Sequence, residues 1–196
     1  MIVEERIREV HPLTLFAPEG ARLLMLGSFP PPRERWRMDF FYPNFQNDMW
    51  RIFGHVFFGD KLHFVDQEHK TFHLEALKAF LAETGVAIFD TGLRIRRTKN
   101  NASDKDLEIV EQADIDGLLR QLPQCKGVLA AGQLATQVFM QHFGIKQMPK
   151  MGCFAEFTFE GRKLRLYRVP SSSRAYPMAV EKKAAFYQKM FDDVLR

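Results

Sequence analysis

The chain has 196 residues, 46% of them apolar and 27% charged; that balance excludes a disordered chain and leaves enough length for one domain with a substantial core. A net charge of +4 and a pI near 9.1 suit a polyanionic partner without specifying one. The two cysteines, Cys125 and Cys153, lack paired spacing, which excludes a zinc or iron–sulfur site built on thiolates, and no run reaches the roughly 20 apolar residues of a membrane helix.

Residues 3–10 read as a short charged helix stopped at His11-Pro12. The start, MIVEERIREV, carries charge from its fourth residue and has no apolar stretch of signal length, so a cytoplasmic protein with free thiols is expected. Residues 21–26 form an apolar strand that breaks at Gly27-Ser28 and stalls on Pro30, Pro31 and Pro32. The loop that follows gathers Phe40, Phe41, Tyr42 and Phe45, then enters a helix over 47–53 that Gly54 is expected to end. Residues 55–70 carry no clear pattern. A helix over 71–83 is closed by Gly85, and 85–90 is a second strand ending at Asp90-Thr91-Gly92.

Residues 94–106 are the most polar stretch and read as a solvated loop bearing Arg94, Arg96, Arg97 and Lys99. Asp114 caps a helix running to Leu122. A third strand, 127–131, turns at Gly132 into a helix over 133–142. Residues 154–159 and 163–169 alternate around Glu160-Gly161, the signal of a hairpin. A last helix, 178–195, buries Val180, Ala184, Tyr187 and Phe191 at helical spacing.

Strands alternating with helices predict an α/β three-layer sandwich: a central, mainly parallel sheet of about four strands, flanked by helices, as a single domain over 1–196. In such sheets the ligand sits beyond the carboxyl ends of the strands. The loops meeting there carry Gly27-Ser28-Phe29-Pro30, Asp90-Thr91-Gly92, Gly132-Gln133 and Pro170-Ser171-Ser172-Ser173-Arg174. No P-loop and no GxGxxG follows the first strand, which lowers the case for a nucleotide-triphosphate or dinucleotide enzyme. No HExxH or clustered His/Asp motif points to a catalytic metal, and the scattered histidines, His63, His69 and His73 among them, read as surface or packing residues.

Three of these segments together resemble the uracil-DNA glycosylase superfamily. The strand ending in Gly27-Ser28-Phe29-Pro30 is like its first motif. The run into Asn47-Asp48-Met49-Trp50 is similar to the helix start of the mismatch-specific and hypoxanthine-acting branches. Val169-Pro170-Ser171-Ser172-Ser173-Arg174 is like its second motif, a Pro-Ser loop that enters the minor groove. Much of the superfamily has a water-handling Asp or Asn at the position of Phe29, and many members have a His at that of Val169. The hypoxanthine-acting branch also lacks the first-motif polar residue and is the nearest in pattern, with Asn47 at the position of an Asn thought to matter there.

The resemblance implies a monofunctional DNA glycosylase acting on uracil or hypoxanthine in double-stranded DNA, as a monomer and with no cofactor or metal. Its implied base-binding residues are Gly27, Ser28, Phe29 and Tyr42. Asn47 would orient water. Pro170, Ser171, Ser172, Ser173 and Arg174 would fill the vacated stack, while Arg174, Arg94, Arg96, Arg97 and Lys99 would hold phosphates. Plainer readings stand beside these: Tyr42 as core, Asn47 as a helix cap, the basic stretch as a solvated loop. A non-catalytic DNA-binding relative and a small-molecule nucleoside hydrolase remain as rival functions.

Overall fold

The computed structural model describes residues 8–196. Its elements are β1 (Arg8–Val10), β2 (Leu23–Gly27), α1 (Met49–Phe58), β3 (Val65–Asp66), β4 (Thr71–Phe72), α2 (Leu74–Thr84), β5 (Val86–Asp90), β6 (Gly92–Arg97), β7 (Leu107–Gln112), α3 (Ile115–Arg120), β8 (Gly127–Ala130), α4 (Gln133–Phe143), β9 (Phe154–Phe159), β10 (Arg162–Tyr167) and α5 (Val180–Leu195).

The main sheet has five strands in the order β5-β2-β8-β10-β9. The first four are parallel, and β9 joins the edge antiparallel through the hairpin turn at Glu160-Gly161. Every residue of β2, β5 and β8 is buried, which is why these strands are continuous apolar runs rather than alternating ones. The two faces separate cleanly on β9 and β10. Arg165 and Tyr167 turn to Asp193 on α5, whereas Phe157, paired with Leu164, meets Phe139 and Phe143 on α4. Alternate residues of a strand point to opposite faces, so α5 and α4 cover opposite sides of the sheet. Helix α1 lies with α5: Phe191 sits 4.9 Å from Phe53 and 5.1 Å from Phe57, ring centre to ring centre.

Four expectations change. Arg8–Val10 is not helical; it pairs antiparallel with β6, while residues 3–7 lie outside the described part. Helix α1 does not end at Gly54 but runs to Phe58 and closes on Gly59, whose φ of 67° is left-handed. At Gly54 the returning chain presses against the helix: a Cβ would stand 2.5 Å from the Asp60 carbonyl oxygen, so this glycine serves close packing rather than termination. Thr71 and Phe72 belong to a two-stranded ribbon with β3, and the helix after it starts at Leu74.

The polar stretch is a loop only from residue 98 onward, where it turns back to β7. Its first part is β6, which pairs with β1 on one side and β7 on the other to form a second, three-stranded sheet. Ile95 is its fully buried anchor, and the charges that disguised the strand pair across the ladder: Arg96 with Glu108 at 3.0 Å and Arg94 with Glu111 at 2.8 Å. Among the described residues, no helix is long and apolar enough to cross a membrane.

Candidate active site

Strands β2 and β5 end side by side, with Gly27 paired to Asp90. The chain after β5 keeps bonding to the chain after β2, Thr91 N–H to the Gly27 carbonyl at 2.8 Å and Gly92 N–H to that of Ser28 at 2.9 Å. The first loop is therefore held like an extra rung of sheet. Beyond it lies a cavity of about 790 Å³, within the roughly 300–1,000 Å³ of small-molecule sites. Gly27, Ser28, Phe29, Tyr42, Asn47 and Ser171 to Arg174 all line it, joined by Asp90, Asp104 and the Ala131–Gln133 turn. Three stretches distant in sequence thus meet at one edge of the sheet.

Gly27 is required by what crowds it. A Cβ there would overlap Asp90 Oδ1 and come 3.4 Å from the Tyr42 hydroxyl. Asp90 is buried, and its Oδ2 lies 2.8 Å from His11 Nε2, a pair whose His11 side chain is fully enclosed. The Phe29 ring stands edge-on to His11 at 5.1 Å and thereby becomes wall rather than a polar group.

Tyr42 is held at φ 50°, a left-handed conformation uncommon for a bulky residue. Its ring meets Trp50 at near right angles, 5.8 Å between centres. Its hydroxyl is shielded from solvent and has no hydrogen-bond partner among the described residues. Burial, reinforced by the Asp90 carboxylate, pushes the phenol well above its ordinary pKa, so it stays a neutral donor. Phe40 and Trp50, by contrast, are core, and Phe41 is buried while also lining the cavity.

Asn47 Oδ1 accepts the Met49 N–H at 2.9 Å, which satisfies one of the open amides at the start of α1 while the residue lines the cavity. Its neighbour Asp48 is buried and ties three segments together. Asp48 N–H donates to the Ser172 carbonyl at 2.9 Å. Its carboxylate receives Lys183 Nζ at 3.0 Å and Arg174 Nη2 at 3.2 Å. Lys183, fully buried on α5, donates to the Ser173 carbonyl at 2.8 Å as well, and Tyr187 Oη donates to that of Pro170 at 2.9 Å. The Pro-Ser loop is thus clamped from below: Pro170 and Ser172 are buried, and Arg174 and Ala175 are its exposed tip.

The β6–β7 turn brings Asp104 to the opposite wall. Asp104 Oδ1 accepts the Ser28 hydroxyl at 2.6 Å, and its Oδ2 faces the Gly132 turn. Burial raises its carboxyl above the ordinary value; the Ser28 hydrogen bond and Arg97 oppose that rise and Asp90 adds to it.

The four basic residues expected at the DNA do not line the cavity. Arg94 and Arg96 pair across the small sheet, Lys99 lies 3.4 Å from Asp106, and Arg97 is buried, bonded to Glu9 at 2.7 Å and to the Pro30 carbonyl. Arg97 therefore fastens the hairpin to the first loop. Among the described residues, the cations on the cavity wall are Arg35, Lys105 and Arg174. Asp104, His11 and Lys183 were missed from the sequence. Lys183 left a trace, four residues before Tyr187 on the apolar side of the last helix; Asp104 left none, one acid among many in a polar stretch. Among the described residues, no three His, Cys, Asp or Glu side chains gather as a metal site would require.

No family model matches the chain, and no curated protein matches it. Among solved structures it is similar to the solution NMR structure of a protein from Methanosarcina acetivorans described as a "putative Uracil DNA glycosylase". The TM-score is 0.61 at 19% identity, over 95% of this chain and 99% of that one. The two share a fold: an α/β domain built on a central, mostly parallel five-stranded sheet flanked by helices.

Proposed function

We propose that this protein is a monofunctional DNA glycosylase that hydrolyses the N-glycosidic bond of a deaminated or mismatched base, uracil or hypoxanthine, in double-stranded DNA. The observation that carries the reading is the convergence of Gly27–Pro30, Tyr42–Asn47 and Ser171–Arg174 on one cavity at the carboxyl edge of the sheet. The shared fold with a glycosylase-like protein supports it.

Excision requires the base to leave the stack, at a few kcal/mol. Tyr42 offers the extruded base an aromatic wall, worth roughly 1–3 kcal/mol by stacking. Its unpartnered hydroxyl and the amides after Gly27 supply donors to base carbonyls, where negative charge grows as the base departs. Asn47 orients the water. The exposed Arg174-Ala175 tip of the Pro-Ser loop fills the gap left in the duplex, and Arg174, Arg35 and Lys105 face the phosphates.

The test is incubation with labelled duplexes carrying uracil, hypoxanthine or xanthine, with free nucleosides in parallel. The expected result is base release from duplex and not from nucleoside. Tight binding of the lesion without release would mark a non-catalytic relative, for which Phe29 and Val169 are the pertinent residues. Release from nucleosides alone would mark a small-molecule hydrolase.

A further inference from the structure

Hydrolysis at C1′ needs a group that takes a proton from water, and Asn47, an amide, cannot be that group. Among the described residues, the cavity wall holds two carboxylates, Asp90 and Asp104, and no histidine, glutamate or cysteine. Asp90 is occupied: Oδ2 faces His11, and Oδ1 is pressed against Gly27. Asp104 is held on one side only. Oδ1 takes the Ser28 hydroxyl, and Oδ2 accepts no hydrogen bond among the described residues. The turn that carries it is fixed from three directions: Arg97 bonds the Asn101 and Pro30 carbonyls, Asn101 bonds Asp106 at 2.7 Å, and Asn100 bonds Glu34 at 3.0 Å. A carboxylate fixed this well, with one oxygen open in the same cavity as a tyrosine hydroxyl that is buried and unpartnered among the described residues, is set for a reacting molecule.

We propose that Asp104 is the general base of the reaction, with the Ser28 hydroxyl holding it in place; the inference rests on the glycosylase reading above. Water oxygen bonds to C1′ as the C1′–N bond breaks, and the electron pair of that bond leaves on the base. The water proton passes to Asp104 Oδ2 and from there to the departed base anion or to solvent, which restores the carboxylate. Desolvation raises the pKa of the part-buried Asp104 and makes it a better proton acceptor than an exposed carboxylate, while the Ser28 hydrogen bond and Arg97 favour its charged form. The charged and titratable groups facing it are Asp90 with His11 behind, Tyr42 and Arg97, with Lys105 next to it on its own turn.

The experiment is single-turnover base release from uracil and hypoxanthine duplexes by wild type, Asp104→Asn and Ser28→Ala across acidic to neutral pH, with duplex affinity and melting temperature alongside. The wild-type rate is expected to rise with pH through the Asp104 pKa and then level. Asp104→Asn should lose about 10²–10⁴-fold in rate and the acid limb with it, keeping its duplex affinity. Ser28→Ala, which keeps the carboxylate but removes a hydrogen bond to its charged form, should move the acid limb to higher pH. A folded Asp104→Asn protein with the wild-type rate, or one that retains the acid limb, overturns the proposal and passes the role to a group such as Asp90. An unmoved limb in Ser28→Ala overturns it too, and does so even if Asp104→Asn fails to fold. Absence of release by the wild type from every duplex refutes the glycosylase reading itself, and this inference falls with it; release by the wild type with unaffected variants refutes only the inference.

Discussion

Two residues five apart, Tyr42 and Asn47, face the same cavity from one connection, yet the structure gives them different attachments. Asn47 spends its oxygen on the Met49 amide and so serves the fold as well as the pocket. The Tyr42 hydroxyl is unpaired among the described residues, and its backbone is held in a conformation that costs on the order of 1–3 kcal/mol. Tyr42→Ala is expected to weaken binding of base-damaged duplex by roughly 1–3 kcal/mol, the stacking contribution. Asn47→Ala should lower stability by about 1 kcal/mol through the lost bond to the Met49 amide and, beyond that, slow single-turnover release while sparing duplex affinity. Melting curves, binding isotherms and release rates on both variants check this; a folded Asn47→Ala protein with an unchanged rate removes Asn47 from the chemistry. The aromatic loop and the helix start were legible because both are local patterns, though the N-cap position falls on Asp48 and Asn47 stands one residue before it. Asp104 was not, because only the hairpin path across the sheet end makes that aspartate differ from Asp106 two residues on.

The same contrast holds for whole segments. Strands buried on both faces, β2, β5 and β8, announce themselves as apolar runs flanked by glycine. Strand β6 presents GLRIRR, with one fully buried side chain, Ile95, and its partner strand opposes arginines with glutamates. Nothing in either stretch alone reports that pairing, so it read as a loop. Helix α5 was legible by its period, but its most consequential residue was not an apolar one. Lys183, Asp48 and the Ser172–Ser173 backbone join α5, α1 and the Pro-Ser loop in one buried network. Lys183→Ala leaves Asp48 buried with, among the described residues, only the half-exposed Arg174 as ion-pair partner, and is expected to destabilise by about 3–5 kcal/mol. Adding Asp48→Asn should restore part of that loss, because the stranded charge is gone. Denaturant unfolding of both single variants and the double variant measures the coupling. Strict additivity would mean that the two side chains stabilise the fold independently.

Across the whole molecule, the sheet edge that gathers the loops also decides which positive charges matter. The excess of +4 is small, and much of the arginine content is already neutralised at home: Arg94 by Glu111, Arg96 by Glu108, Arg97 by Glu9, Arg120 by Glu160, Arg165 by Asp193. Net charge therefore says less about a DNA face than position does. Arg174 is on the cavity wall, at the exposed tip of a clamped loop, and its partner Asp48 keeps Lys183 when Arg174 turns away. That makes Arg174 available to a phosphate at little cost to the fold. Each phosphate contact releases counterions, so the logarithm of affinity falls with the logarithm of salt concentration by about 0.9 per contact. Wild-type affinity for a duplex is expected to fall steeply as salt rises. Arg174→Ala should lower the magnitude of that slope by about one, whereas Arg94→Ala, which removes a charge already paired across the small sheet, should leave it unchanged. Titrations of both variants at several salt concentrations distinguish the two surfaces. A slope that responds to Arg94 and not to Arg174 would move the DNA from the mouth of the cavity to the β6–β7 sheet, and would separate the base pocket from the duplex it is proposed to serve.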